Sequence, residues 1–295
     1  MQVPIAYFAV LLIWSTTPLA IVWSSETIPP TLAVLMRMTI ALILGYVIIY
    51  HQKISVPWSK TALRLYGFSG IGVFGGMTFA YLAATYLSSG IMSLVFGLAP
   101  IISSILGYKI LNEAKLSHLK KIAMLICLVG LAIVCADNIA LKDTTLKHQS
   151  MLGLVLVLAA VFFFSLSGVL VKSVKIDIHP FATTMGTLSV CTPLFFVNWL
   201  ILDGTFSADA WSYRSILSTL YLGIFGSLIG FYAYYFVLQK LQASTVSLIT
   251  LITPVVAISI GTLLNKEPLT TPLIVGASII LFGLVLYHKK MIFKK

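Results

Sequence analysis

The chain has 295 residues, of which 59% are hydrophobic and only 9% are charged, and its mean hydropathy is +1.05. Soluble domains carry about 25% charged residues, so this composition excludes a large soluble fold with an apolar core. The net charge of +11 is a value found in nucleic-acid-binding proteins. Here, however, the basic residues stand between long apolar runs, where they orient helices in a membrane.

Ten apolar segments follow one another along the chain, each close to the ~20 residues that an α-helix needs to cross a bilayer. They lie at residues 4–23, 30–50, 62–86, 89–111, 119–136, 151–172, 180–202, 214–238, 243–264 and 270–288. Their boundaries carry turn signals such as Pro29-Pro30 and Ser88-Ser89-Gly90. The segments lack the alternation of membrane β-strands. The sequence therefore predicts an all-α membrane protein with ten transmembrane helices, and a polar loop over 137–150.

Lysine and arginine are distributed unequally between the two sides of this arrangement. With a cytoplasmic N-terminus, fourteen of them fall in cytoplasmic loops and ends, and four fall on the outer side. The four outer residues are Lys142, Lys147, Arg214 and Lys266. Because cytoplasmic loops carry the excess of positive charge, we predict that both termini are cytoplasmic, in a bacterial inner membrane.

The two halves of the chain resemble each other. A shift of 154 residues aligns nine identical residues without a gap. The pairs are Gly72 and Gly226, Gly76 and Gly230, Tyr81 and Tyr235, Leu87 and Leu241, Ser93 and Ser247, Leu94 and Leu248, Pro100 and Pro254, Gly107 and Gly261, and Glu113 and Glu267. A shift of 150 aligns Trp14 with Phe164 and Ser15 with Ser165. The sequence thus predicts two repeats, 1–137 and 150–295.

Each repeat contains five helices, and an odd number means that the second repeat enters the membrane from the opposite side. Glu113 is then cytoplasmic and Glu267 is on the outer side. Inverted repeats are typical of secondary transporters, in which they surround a site near the middle of the membrane. The sequence therefore favours a transporter over a receptor or a membrane enzyme.

An ordered set of residues extends this interpretation to a family. The set comprises Trp14-Ser15 and Pro18, Arg37 and Ala41, Ser93 to Pro100 with Asn112-Glu113, and Ser247 to Pro254 with Lys266-Glu267-Pro268. It resembles the drug/metabolite transporter superfamily of the EamA type over nearly the whole chain. The resemblance implies a central cavity lined by helices one, three, four, six, eight and nine, with five and ten at the periphery. The glycine that usually precedes the glutamate is replaced by Asn112 and Lys266.

Polar and aromatic residues on these helices are the candidate substrate-binding residues. They are Trp14, Thr17, Thr78, Tyr81, Ser93, Phe96, Ser165, Tyr232, Tyr235, Ser247 and Thr250. As a set they describe an apolar, aromatic pocket with neutral polar groups, which suits a small amphipathic solute. The alternative for each hydroxyl is a hydrogen bond between helices without a ligand.

Prolines and glycines at matched positions of the two repeats are the candidate gating or hinge residues. They are Pro100, Pro254, Gly72, Gly76, Gly226 and Gly230. A proline inside a helix removes a hydrogen bond and favours a kink, which is either structural or part of a hinge. Glycines four residues apart let two helices approach closely, either in static packing or at a surface that slides.

Arg37 is the one charged residue well inside an apolar run. Its position, about seven residues from the outer end of the second helix, allows the side chain to extend to the membrane surface. Since charged residues within the membrane usually serve a function, the alternatives are an anion contact or a tie between helices.

The sequence contains no nucleophile–base pair, metal-ligand cluster or Walker-type motif, so we predict no enzymatic activity, no cofactor and no metal. The resulting prediction is a secondary transporter that exports amino acids or similar amphipathic solutes by alternating access. Its partners are a small-molecule substrate and the lipid bilayer, with no nucleic acid, and a monomer is compatible with the sequence. The alternatives are an importer or exchanger of a host or environmental metabolite and, more remotely, an intramembrane lipid-modifying enzyme.

Overall fold

The computed structural model describes residues 2–113, 116–139, 144–240 and 249–292. Within these ranges every long regular element is a helix, and ten helices follow one another along the chain. They are α1 (Val3–Ser24), α2 (Pro30–Gln52), α3 (Lys60–Ala83), α4 (Ser89–Phe96 and Ala99–Ile110), α5 (His118–Ile139), α6 (Thr144–Ser173), α7 (Pro180–Leu202), α8 (Tyr213–Tyr221 continuing through Leu222–Ile229 and Gly230–Lys240), α9 (Ile249–Asn265) and α10 (Thr271–Ile292).

The predicted fold class is confirmed. Each of the ten predicted segments coincides with one helix, although the first residues of segment 243–264 lie outside the described ranges. Seven of these helices are by themselves long and apolar enough to cross a membrane, and shorter apolar stretches lie in α9 and α10. Large apolar side chains such as Ile5, Phe8 and Leu12 are exposed along the outside of the bundle, as expected for a surface that faces lipid.

One loop prediction is wrong in part. Residues 137–139 belong to α5, which ends at Ile139, and residues 144–150 belong to α6, which begins at Thr144 rather than at 151. The physical reason is that this stretch contains neither glycine nor proline, so its polar residues can continue the helix of the apolar segment outside the hydrocarbon region.

Serines mark the starts of three helices. The Oγ atoms of Ser59, Ser88 and Ser212 accept hydrogen bonds from the backbone N–H three residues later, at 3.2–3.5 Å. These bonds satisfy backbone donors that a helix leaves unpaired at its first turn. The cap at Ser88 separates α3 from α4, where the sequence provides only a short polar break.

The helices pack in pairs that repeat between the halves. α1 contacts α8 and α9, and correspondingly α6 contacts α3 and α4. α2 packs on α7, α4 on α9, and α5 on α10. Exchanging each helix with the one five places along the chain leaves these pairs unchanged, as two repeats related by a pseudo-twofold axis require. The repeat boundaries at 137 and 150 stay a prediction.

The turns after α4 and α9 are tight although neither contains the usual glycine. Asn112 and Lys266 both have a φ of 53°, a left-handed conformation that favours glycine. In each turn the following glutamate donates its backbone N–H to a glycine carbonyl, Glu113 to Gly107 at 3.3 Å and Glu267 to Gly261 at 3.2 Å. The same C-terminal turn is therefore formed in both repeats.

π-Helical segments interrupt α3 and α8 at related positions. They span Ile71–Gly76 and Leu222–Ile229, and a shift of 154 residues superposes most of the first on the second. Such segments are often found at functional sites. Both segments lie beside the cavities described next.

Candidate functional site

Two cavities lie between the helices at the centre of the bundle. The first, here called the Arg37 cavity, is lined by Trp14, Thr17, Pro18, Ile21, Arg37, Met77, Ala80, Met92, Ser93, Phe96, Ala99, Phe164, Gly226, Phe231 and Thr253. The second, the Tyr235 cavity, is lined by Ser69, Gly72, Val73, Met77, Phe164, Ser167, Gly168, Val171, Phe231, Tyr234 and Tyr235. The volume open to the centres of water molecules is ≈ 100 Å³ in the first and ≈ 30 Å³ in the second, so the Arg37 cavity has room for several waters or a small solute.

The helices that line the cavities match those implied by the family resemblance. The lining residues come from α1, α3, α4, α6, α8 and α9, and Arg37 adds α2. Among the described residues, none from α5, α7 or α10 lines either cavity. The contribution of α2 is the one departure from the expected set.

The two cavities share three lining side chains. Met77, Phe164 and Phe231 line both, so we call them the partition. Met77 and Phe231 occupy equivalent positions at the shift of 154 residues, and Phe164 is the counterpart of Trp14 at the shift of 150. The partition therefore lies close to the pseudo-symmetry axis. Our sequence prediction missed all three, although each directly precedes a candidate residue in the sequence.

Aromatic rings form much of the wall on both sides of the partition. The Trp14 ring lies 4.9 Å from that of Tyr234 and 5.8 Å from that of Phe164, measured between ring centroids. Phe96 extends the cluster, at 6.2 Å from Phe164. These separations are within the favourable range for aromatic pairs. The arrangement provides an apolar surface with π faces, on which a solute with an apolar part can pack.

Five of the candidate substrate-binding residues line a cavity. Trp14, Thr17, Ser93 and Phe96 lie on the Arg37 cavity, and Tyr235 lies on the Tyr235 cavity. Thr17 donates its hydroxyl hydrogen to the carbonyl oxygen of Ile13 at 2.7 Å, so its oxygen remains available as an acceptor.

The other candidates that the structure describes line neither cavity. Thr78 and Tyr81 are in the interior, where their hydroxyls have no partner within the described chain. Ser165 donates to the carbonyl oxygen of Ala99 at 3.2 Å, and this bond joins α6 to α4. Tyr232 packs against the rings of His179 and Phe181. Ser247 lies outside the described residues, as does the side chain of Thr250.

The hydroxyl groups of Tyr81 and Tyr235 differ in their hydrogen bonding because the surroundings of the two side chains differ between the repeats. The Tyr235 hydroxyl hydrogen-bonds with that of Ser69, which joins α8 to α3. The equivalent of Ser69 at the shift of 154 residues is Gly223, which has no hydroxyl. Tyr81 is therefore completely buried without the interaction that its counterpart makes.

The prolines predicted as hinges occupy different settings. The two helical parts of α4 are separated by residues 97–98, and Pro100 lies in the first turn of Ala99–Ile110. Pro254 lies inside the continuous helix α9, and its Cγ lies 3.4 Å from a Cβ built at Gly97. Of the two matched prolines, Pro100 lies next to a helix break and Pro254 does not. Pro254 packs against the break in α4.

The matched glycines allow close helix contacts. A Cβ at Gly72 would lie 2.5 Å from the Cβ of Ser167 on α6, and one at Gly226 would lie 3.1 Å from Nη2 of Arg37. At Gly76 the nearest atom would be at an ordinary 3.5 Å, and at Gly230 a side chain from α1 would be at 3.3 Å. Packing therefore requires glycine most strictly at Gly72.

Arg37 is 1% exposed and lies between α2 and α8 rather than extending to the membrane surface. Its Nε donates to the Oγ of Ser227 at 2.7 Å, which is the predicted tie between helices. Its Nη1 is buried and has no partner among the described residues. Among the described residues the guanidinium thus makes one polar contact, at Nε, and it also lines the cavity.

A carboxylate joins two helices at the end of the bundle that contains the α9–α10 turn. Glu267 accepts hydrogen bonds from the backbone N–H groups of Ser89 and Gly90 at 3.1 and 3.2 Å. Asn265 donates its side-chain N–H to Glu267 and accepts from the Trp23 indole at 2.8 Å. The carboxylate therefore caps the N-terminus of α4 and connects it to α9 and α1.

The chain is similar to known transporters over most of its length. The model of the EamA-like transporter family matches residues 3–136 and 151–288. An "Uncharacterized transporter" of Archaeoglobus fulgidus is 27% identical over 94% of this chain and 95% of its own length. A "Probable amino-acid metabolite efflux pump" of Salmonella typhimurium is 24% identical over 93% of this chain and 91% of its own length.

A solved structure supports the same fold. The crystal structure of a protein that is 17% identical superposes with a TM-score of 0.65 and covers 97% of this chain and 96% of that chain. The family model matches twice, and the two matches together cover most of the chain. The chain therefore belongs to the EamA-like transporter family.

Proposed function

We propose that this protein is a secondary transporter of small amphipathic metabolites and that amino acids are among the solutes it exports. The observation that carries the proposal is the pair of central cavities that meet at the partition. In alternating access, a solute site is reached first from one side and then from the other. Two relatives, from Escherichia coli and Salmonella typhimurium, are named probable amino-acid metabolite efflux pumps, which supports the solute class.

The residues of the cavities favour transport without proton coupling. No aspartate, glutamate or histidine is among the lining residues of either cavity in the described chain. A proton-driven carrier commonly uses such a group at its site. Alternating access itself requires only two conformations that the solute can redistribute by mass action. We therefore expect facilitated diffusion or exchange, in which the solute gradient decides between export and import.

Transport by the purified protein in sealed liposomes tests this function. We expect the protein to equilibrate labelled phenylalanine across the membrane, and an imposed pH gradient to cause no net accumulation from equal concentrations. Liposomes without protein are the control. Uphill accumulation that a protonophore abolishes would contradict the uncoupled mechanism, and no movement of this or any other amphipathic amino acid would contradict the solute class.

The lysine and arginine distribution predicts how the protein sits in the membrane. We propose an inner-membrane location with both termini in the cytoplasm. A reporter that is active only in the cytoplasm should be active when it is fused after Lys295, and a periplasm-dependent reporter at the same site should be silent. The opposite pattern would reverse the orientation and would also place Glu267 on the cytoplasmic side.

A further inference from the structure

The guanidinium of Arg37 has a hydrogen-bonding capacity that the protein itself uses only in part. The side chain is 1% exposed, and its Nε is bound to Ser227 Oγ. Its Nη1 is buried without a partner among the described residues. A charged group that is removed from water at this depth is costly unless it is paired. The unused N–H groups therefore indicate a ligand.

The position of the guanidinium shows where that ligand would lie. Arg37 is one of the residues that line the larger cavity, and Gly226 lines the same cavity beside it. A Cβ built at Gly226 would be 3.1 Å from Nη2 and 3.6 Å from Cζ. Because residue 226 is a glycine, it places no side chain of its own against this side of the guanidinium, although Cδ2 of Leu222 lies 3.2 Å from the same point.

The chemistry of the cavity specifies the ligand's charge. No carboxylate is among the residues that line it in the described chain, so a counter-ion for Arg37 must come from elsewhere. Guanidinium presents two parallel N–H donors that match the two oxygens of a carboxylate. The tie to Ser227 uses Nε and leaves Nη1 and Nη2 as such a pair.

We infer that Arg37 binds the carboxylate of the transported solute, which makes the solute class carboxylic acids and amino acids rather than neutral metabolites. This inference rests on the proposed transport function. The ring of Trp14 and the neighbouring aromatic rings receive the apolar part of the solute. They also offer π faces to an ammonium group, for which the cavity lining provides no carboxylate.

Three solutes with the same phenyl ring distinguish recognition of the carboxylate from transport of amphipathic solutes in general. They are L-phenylalanine, L-phenylalaninamide, which lacks the carboxylate, and 3-phenylpropanoate, which lacks the ammonium group. Transport in liposomes and the rise in melting temperature of the purified protein are measured for each. We expect the two carboxylates to exceed the amide by at least about tenfold in apparent affinity, which corresponds to about 1.4 kcal/mol.

Variants assign the preference to Arg37. In Arg37→Gln the carboxylates should lose their advantage, so that the amide is bound as well as either carboxylate. Arg64→Gln removes an exposed arginine that lines neither cavity and should leave the preference unchanged. If Arg37→Gln does not fold, Gly226→Ala keeps the arginine, places a methyl group against Nη2, and should weaken the preference.

The outcomes separate this inference from the proposed function. Equal transport of all three solutes by the wild type would overturn carboxylate recognition and leave the transporter proposal intact. A preference that persists in folded Arg37→Gln would overturn the assignment to Arg37. Neither binding nor transport of any of the three would overturn both proposals.

Discussion

Replacing Glu267 with alanine is expected to open the Arg37 cavity toward the membrane face that carries the α9–α10 turn. The carboxylate accepts two backbone N–H groups at the start of α4, and such bonds to a charged group contribute about 1.5–3 kcal/mol each when buried. Glu267 is partly exposed, so we expect a net loss of about 1.4 kcal/mol, or a tenfold shift in population. The predicted orientation makes this the outer face.

Cysteine labelling measures this opening. Thr17 lines the Arg37 cavity, and Thr17→Cys should react with a membrane-impermeant thiol reagent about tenfold faster in the Glu267→Ala background. The parent protein, which keeps its native cysteines, gives the background rate. Glu26→Ala is the matched control, because it removes an exposed ion pair with Arg214 at the same end of the bundle, and such pairs contribute little. A rate that Glu267→Ala leaves unchanged would show that the carboxylate does not hold this face closed.

Leucine at position 168 is expected to slow transport without destabilising the fold. Gly168 lines the Tyr235 cavity, and a Cβ added there meets no atom within 4 Å. The added side chain therefore occupies space in a cavity with only ≈ 30 Å³ open to water centres. We expect the initial rate of phenylalanine transport to fall at least about tenfold, equivalent to a barrier higher by about 1.4 kcal/mol.

Gly67→Leu is the matched control for this substitution. Gly67 also has no atom within 4 Å of an added Cβ, but it lies on α3 outside both cavities. Both variants exchange glycine for a better helix former, so both should melt at or above the wild-type temperature. Equal transport rates in the two variants would remove the Tyr235 cavity from the transport path.

The helices were predictable because the bilayer imposes one length on every crossing. Ten apolar runs of that length identified the fold, and matched residues such as Gly72 and Gly226 identified the repeat. The break in α4 at residues 97–98 was expected only as a kink at Pro100. The break precedes Pro100, which then lies in the first turn of a helix, where its missing N–H is tolerated. Pro254 lies inside the continuous helix α9, so residue type alone does not show which of the two matched prolines lies at a break.

The residues of the site were predictable only in part, because the sequence does not show which side of each helix faces a cavity. Residue type places Trp14 or Ser93 among candidates, but the cavity wall depends on how neighbouring helices rotate and cross. Tyr81 and Tyr235 are identical residues at matched positions, yet only Tyr235 lines a cavity. Met77 and Phe231 are ordinary apolar residues in sequence, and only their meeting at the centre of the bundle makes them a partition. Ser227 is likewise unremarkable until the fold brings it to Arg37.

The partition also has an electrical consequence. Met77, Phe164 and Phe231 line both cavities, so when each cavity is open to the water on its own side of the membrane, most of the membrane voltage falls across these three side chains. When a solute with one net charge crosses these side chains, its free energy changes by about 2.3 kcal/mol for each 100 mV of membrane voltage. The membrane voltage does not change the free energy of a zwitterionic amino acid, because its net charge is zero. An organic acid with one negative charge is driven out of a cell that is negative inside. At equal concentrations on both sides, membrane voltage therefore determines the direction of net movement for the acid but not for the amino acid.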